Sequence, residues 1–148
     1  MKIYIDQSGK VEYTSQPTIV AYSNGKDKSI CIAGKEKQKI QKVFREAGKP
    51  DMFTFKTFAT LIYLLIKTDL TKLQTIIIDR EYEGREDLIK KYLIELIRRS
   101  GHEFDAKSIS FAEIGKKSNA HRKAIDTFRK DQKADIKVSS KDLLEWIL

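Results

Sequence analysis

Residues 74–81 read Q-T-I-I-I-D-R-E, and this stretch decides the fold. Three consecutive isoleucines have neither the alternation of a half-exposed strand nor the spacing of a helix. A short, continuous β-branched run is what a strand covered on both faces requires. The chain upstream predicts what surrounds it. Residues 2–6 (K-I-Y-I-D) form a second short apolar run that also ends on an aspartate, and the strand is expected to resume at Val11–Thr14 across the Ser8-Gly9 turn. Residues 18–23 (T-I-V-A-Y-S) and 29–33 (S-I-C-I-A) flank Asn24-Gly25, a strong hairpin signal. The first 33 residues therefore predict an antiparallel three-stranded meander.

The period then changes. Ile40, Val43, Phe44 and Ala47 share one helical face, which predicts a helix over 35–47 with Gly48 as its C-cap. The segment 53–67 is apolar on most faces (Phe55, Phe58, Leu61, Ile62, Leu65, Ile66) and is expected in the interior. Beyond the isoleucine run, a stripe of Leu88, Ile89, Tyr92, Leu93, Leu96 and Ile97 predicts a helix over 85–99, stopped by Ser100-Gly101. Residues 108–114 (S-I-S-F-A-E-I) alternate as a strand, a basic turn spans 115–119, and a helix is expected over 119–132. A short extended segment precedes the last helix, where Ser139 and Asp142 fit a capping box before Leu143, Leu144, Trp146 and Ile147. A meander followed by strand–helix alternation implies an α/β fold: a mixed five-stranded sheet, antiparallel then parallel, with helices on both faces. Pro17 and Pro50 both fall between periodic segments and nothing reads as a linker, so residues 1–148 are expected to form one domain.

Composition narrows the function. The 148 residues are 41% hydrophobic and 34% charged, a globular balance. A net charge of +8 favours anionic partners, nucleic acid before a membrane surface. The single cysteine, Cys31, excludes an internal disulfide and a cysteine-based zinc site, and fits a reducing, cytoplasmic compartment. The amino end enters a strand at once, so no signal peptide is expected. The longest apolar stretch, 58–66, is too short to cross a bilayer.

In open α/β sheets ligands collect at the carboxyl ends of strands, where strand order reverses. If the first strand pairs in parallel with the isoleucine strand, Asp6 and Asp79 sit side by side there. Two carboxylates so close need a cation between them, and oxygen donors suit Mg²⁺ or Mn²⁺. His121 lies near the stripe of Ala124, Ile125 and Phe128, whereas Asp126 falls between Arg122 and Lys130, away from it. Basic residues cluster at 115–130 (Lys116, Lys117, Arg122, Lys123) and at 35–49 (Lys35, Lys37, Lys39, Lys42, Arg45, Lys49). Tyr4, Tyr13 and Tyr22 on the meander are readable as base-stacking rings or, more simply, as cross-strand pairs.

This arrangement resembles the ribonuclease H-like superfamily. The resemblance covers nearly the whole chain as an order of elements and rests on I-D-x-S-G at 5–9, I-I-I-D-R-E at 76–81 and G-K-K-S-N-A-H at 115–121. It implies Asp6 and Asp79 as ligands to two divalent metals, Mg²⁺ or Mn²⁺, that activate water for phosphodiester cleavage. It implies a third ligand on the helix after the last core strand, where position favours His121 over Asp126. Lys116 and Lys117, with Arg122 and Lys123 nearby, would hold the phosphate backbone of RNA, an RNA/DNA hybrid or branched DNA, and a resolvase-like member would suit a homodimer. The pattern departs from ribonuclease H in one respect. Residues 53–67 contain no Asp or Glu where that family carries a helix glutamate, and Glu81 is the residue at hand to fill the gap. The expected function is a metal-dependent nuclease or resolvase-type phosphodiesterase, and the alternative is a non-catalytic nucleic-acid-binding module on the same fold. A phosphoryl-transfer enzyme is disfavoured by the lack of a P-loop or other glycine-rich phosphate loop.

Overall fold

The computed structural model describes residues 1–24, 26–114, 119–128 and 133–147. Three strands open the chain: β1 (Lys2–Ser8), β2 (Thr18–Ser23) and β3 (Asp27–Ile32). Two helices follow, α1 (Gly34–Glu46) and α2 (Phe53–Ile66). Then come β4 (Thr75–Asp79), α3 (Glu86–Arg99), β5 (Ile109–Ala112), α4 (Asn119–Phe128), β6 (Ile136–Val138) and α5 (Ser140–Ile147). All six strands join one sheet in the order β5-β4-β1-β2-β3-β6. The meander β1–β2–β3 is antiparallel, while β4 on β1, β5 on β4 and β6 on β3 are parallel.

The sheet thus has six strands where five are expected from the sequence. The extra one is β6, whose three residues pair with Ile30–Ile32 on the far edge. Three residues are too few to show a period, so only the neighbouring strand makes this segment a strand. The first strand also differs. It runs through Asp6 to Ser8, because Gln7 and Ser8 still pair with Val20 and Ile19. Gly9, at φ 74°, ends it. Residues 11–17 do not resume a strand; they form a turn-rich loop.

Alternation sorts the side chains onto two faces. Ile3 and Ile5 of β1, Val20 and Tyr22 of β2, Ile30 and Ile32 of β3, Ile76 and Ile78 of β4 and Ile109 of β5 enter one large apolar core with α1, α2, α3 and α5. α2 lies at its centre, between α3 and α5 and above β2 and β3, which is why it is apolar nearly all round. Among the described residues the opposite face is covered by α4 alone, which packs on β2, β1 and β3. Its buried Ala120 and Ala124 are small, and Ala124 clusters with Ile19, Ala21 and Cys31, so the helix approaches the sheet closely. The buried residues of α4 include Ala120, Ala124 and Thr127; of the stripe expected, Ala124 is buried and Ile125 half-buried, and the side chain of Phe128 lies outside the described residues. Residues 129–132 of the expected helix lie outside the described residues.

The loop after β1 is fastened to α1. Gly34 faces the backbone of this loop so closely that a Cβ would come within 2.5 Å of the Thr14 carbonyl oxygen. Three residues on, Lys37 is wholly buried, and its Nζ donates to the carbonyl oxygens of Lys10 (3.3 Å) and Tyr13 (2.8 Å) and to Thr18 Oγ1 (3.0 Å). All three ammonium donors are satisfied, which is what makes a buried lysine tolerable. The last helix starts as expected: Ser139 N–H donates to Asp142 Oδ2 at 2.8 Å, and Asp142 N–H to Ser139 Oγ at 3.4 Å.

Candidate metal centre

β1 and β4 run parallel with Ile5 opposite Ile78, so Asp6 and Asp79 follow at the same level of the sheet. Here β1 leaves β4 while it continues along β2, the kind of switch point at whose carboxyl ends open α/β sheets form a ligand crevice. Asp6 is 1% exposed. Its Oδ1 accepts from the Gln7 N–H at 2.7 Å, and its Oδ2 lies 2.7 Å from His121 Nδ1. His121 stands in the first turn of α4, and its imidazole reaches Asp6 on β1. Asp79 Oδ1 accepts from the Ile114 N–H at 2.7 Å, which ties the end of β4 to the segment after β5.

Glu81 reaches the same place through a tight turn. Its N–H donates to the Asp79 carbonyl at 2.9 Å, while the Arg80 N–H donates to Ala112 O at 3.0 Å. One ligand atom from each of Asp6, Asp79 and Glu81 comes together, all within 4.8 Å of one another. The group has the donors and the spacing to hold a metal ion. Burial raises the Asp6 carboxyl above its ordinary range, opposed by the Gln7 N–H and His121, with the charge of Asp79 raising it further. Burial also pushes Glu81 up to about 8, reinforced by its hydrogen bond to Asp79 and by the charges of Asp79 and Asp6, and opposed by Lys10. Three carboxylates this close favour a shared proton or a cation.

The residues expected from the sequence are thus distributed unevenly. Asp6, Asp79 and Glu81 converge, and His121 joins them through Asp6. Arg122 is exposed beside His121. Lys123 Nζ lies 3.5 Å from Asp135 Oδ2, which also accepts from the Ser29 N–H at 2.8 Å, so Lys123 fastens α4 to the strand edge. Lys116, Lys117 and the side chain of Asp126 lie outside the described residues. The 35–49 cluster is no uniform basic face: Lys37 is buried, Lys39 pairs with Glu36 at 2.8 Å and Lys42 with Glu46 at 3.9 Å. Helical spacing carried this signal, because Lys37 stands three residues before Ile40 and seven before Phe44, both buried. Tyr22 is buried as well, and its hydroxyl donates to Asp69 Oδ2 at 2.9 Å.

Two residues beside the centre had no signature in the sequence. Lys10 sits with its Nζ 6.0 Å from the centre of the Tyr82 ring, and its charge favours ionised Glu81. The Tyr82 hydroxyl accepts from Gln7 Nε2 (3.1 Å) and the Val11 N–H (3.3 Å) and faces Glu12 Oε1 at 3.2 Å. Its ring packs edge-on against Phe55 and Phe58. Tyr82 thereby links the turn that carries Glu81 to the strand that carries Asp6.

No protein-family model, curated protein or solved structure matches this chain. The site is therefore read from its own geometry. Among the described residues no helix is long and apolar enough to cross a membrane. A groove of about 830 Å³ beside β5 mixes Arg80, Lys90 and Lys107 with Glu83, Glu86 and Asp87, a lining of both signs rather than a converging ligand set.

Proposed function

We propose that the protein is a divalent-metal-dependent phosphodiesterase of ribonuclease H-like build, acting on nucleic acid. The observation that carries this reading is the convergence of Asp6, Asp79 and Glu81 at the carboxyl ends of two parallel neighbours. The strand order β5-β4-β1-β2-β3, with β2 alone antiparallel among them, supports it as well. Glu81 supplies from a strand-end turn the third carboxylate that α2 lacks. The donor set is hard oxygen and fits Mg²⁺ or Mn²⁺. Asp6, Asp79 and Glu81 would hold the metal, which when bound would neutralise charge on a phosphodiester and lower the pKa of water. Around it, His121 keeps Asp6 turned into the crevice and can exchange a proton with it between Nδ1 and Oδ2. Lys10 balances the acidic charge on the loop side. The chain's positive charge favours a polyanionic substrate.

Mn²⁺ titration by calorimetry tests the reading. Wild type should bind saturably, and Asp6→Asn combined with Asp79→Asn should abolish binding. Cleavage assays on RNA, hybrid and four-way-junction substrates then assign the substrate. Absence of Mn²⁺ binding by wild type, even with nucleic acid present, would overturn it.

One observation favours a non-catalytic nucleic-acid-binding module instead. Asp6 already has a partner for each oxygen, Gln7 N–H and His121 Nδ1, and so needs no metal. Such a module would bind nucleic acid equally well in EDTA, with steep salt dependence, and cleave nothing.

A further inference from the structure

Among the described residues α4 packs on β1, β2 and β3 and on neither β4 nor β5 to a comparable extent. Below the acidic centre the same face continues over β1, β4 and β5 as Lys2, Tyr4, Thr75, Ile77, Ser110 and Ala112. The register sets Tyr4 beside Ile77, and Ile77 beside Ser110. Lys2, Tyr4, Ser110 and Ala112 are exposed, and Thr75 and Ile77 half-buried. The four helices that pack on Ile3, Ile5, Ile76, Ile78 and Ile109 all lie on the other side. Tyr4, at 37% exposure, is one of two large hydrophobic residues among the described residues that stand out in solvent. Lys2 Nζ lies 5.4 Å from the centre of its ring. Tyr4 precedes Asp6 by two residues on one strand and one face, a distance of about 7 Å.

We propose that this open strip is a platform for a nucleic-acid strand with unpaired bases, one base stacking on Tyr4 while the backbone passes Lys2 and leads to the acidic centre. The proposal rests on the nuclease reading and adds the class of substrate. Three features choose the occupant. The strip is continuous with the candidate metal centre. Its six residues include a lysine and no carboxylate. An exposed ring backed by a cation on an otherwise small and hydroxyl-bearing surface suits the π-face of a base, which a strand offers only where it is unstacked. A second copy of this chain would leave Lys2 unbalanced on such a strip.

Fluorescence anisotropy with a labelled oligothymidylate, in EDTA so that cleavage and metal play no part, tests this directly. Tyr4→Ala should raise Kd about 5- to 100-fold. Tyr4→Phe should stay within about 2-fold and Tyr4→Trp should bind at least as tightly, because the ring and not the hydroxyl does the stacking. Lys2→Gln should weaken binding and reduce the salt slope by about one. Tyr13→Ala, at the other exposed tyrosine, should change nothing, and a blunt duplex should be indifferent to Tyr4. The proposal is overturned if wild type binds no oligothymidylate, if Tyr4→Phe loses as much as Tyr4→Ala, if the duplex responds equally, or if Tyr4→Ala only dissolves a dimer seen by sedimentation. If Tyr4→Ala does not fold, the Phe and Trp variants still decide. A failed Mn²⁺ titration with a positive Tyr4 series would remove the metal reading and leave the platform. The converse result would remove the platform alone.

Discussion

The two faces of the sheet are built from the same strands and put to different uses. One face is closed by four helices around a continuous core of isoleucine, leucine and phenylalanine. Among the described residues the other is met by a single helix, close over β2 through Ala124, and it carries Asp6, Asp79 and the open strip. Alternation along β1 shows the division: Ile3 and Ile5 go to one side, Tyr4 and Asp6 to the other. The closed face holds the fold together, which leaves the sparse face free to keep three carboxylates at a distance that, without a cation, does not favour folding. Strained charge at one end of a sheet survives only when apolar burial elsewhere outweighs it.

The largest effect should come from the closed face. Leu65→Ala empties a wholly buried site on α2 and should cost about 2–5 kcal/mol in urea denaturation. Mn²⁺ affinity measured well below the transition should be unchanged. A matching loss of metal affinity would mean that the two faces are not separable.

A smaller loss is expected from crowding the sparse face. Ala124→Leu adds bulk where α4 lies against Ile19, Ala21 and Cys31, and should cost about 1–3 kcal/mol. Because the same helix carries His121, it should also disturb the contact with Asp6, visible as weaker Mn²⁺ binding. Unchanged Mn²⁺ binding would show that His121 does not position Asp6.

The pH dependence of thermal stability should sharpen the comparison with the least perturbation. In the folded protein Glu81 keeps its proton up to about 8, whereas the unfolded chain releases it near the ordinary 4.5. Between those values the folded state binds more protons, so stability in EDTA should fall as pH rises from about 4.5 to about 8. Glu81→Gln should flatten this decline, and saturating Mn²⁺ should reverse it for wild type by binding the ionised form. A slope indifferent to both would mean that Glu81 stands apart from the other two carboxylates.

Much of the frame was legible in the chain. The isoleucine run, the Asn24-Gly25 hairpin, the helical stripes and the Ser139–Asp142 box each specify an element by local physics, and the described part of each element lies where its pattern put it. Asp6 and Asp79 were legible as a pair because both follow apolar runs that could be neighbours. Glu81 was visible only as a nearby acid, since its return to Asp79 depends on a turn that the Ala112 and Asp79 carbonyls hold. β6 was too short to carry a period. Lys37 counted as surface charge until its place on the α1 stripe put it inside, where the loop carbonyls receive it.

By itself, then, the order of residues determined which segments are strands and helices, which face of each is apolar, and where two aspartates end up along their strands. Those are consequences of period, propensity and turn chemistry, all of which act within a few residues. Tertiary structure alone decided that β1 and β4 are parallel neighbours in register, that His121 meets Asp6 across 115 residues of chain, and that Lys10 and Tyr82 border the centre. It also left Lys2, Tyr4, Ser110 and Ala112 exposed on one face. These depend on contacts between distant segments, whose geometry no local pattern encodes, and it is those contacts that gather scattered polar residues into a candidate site.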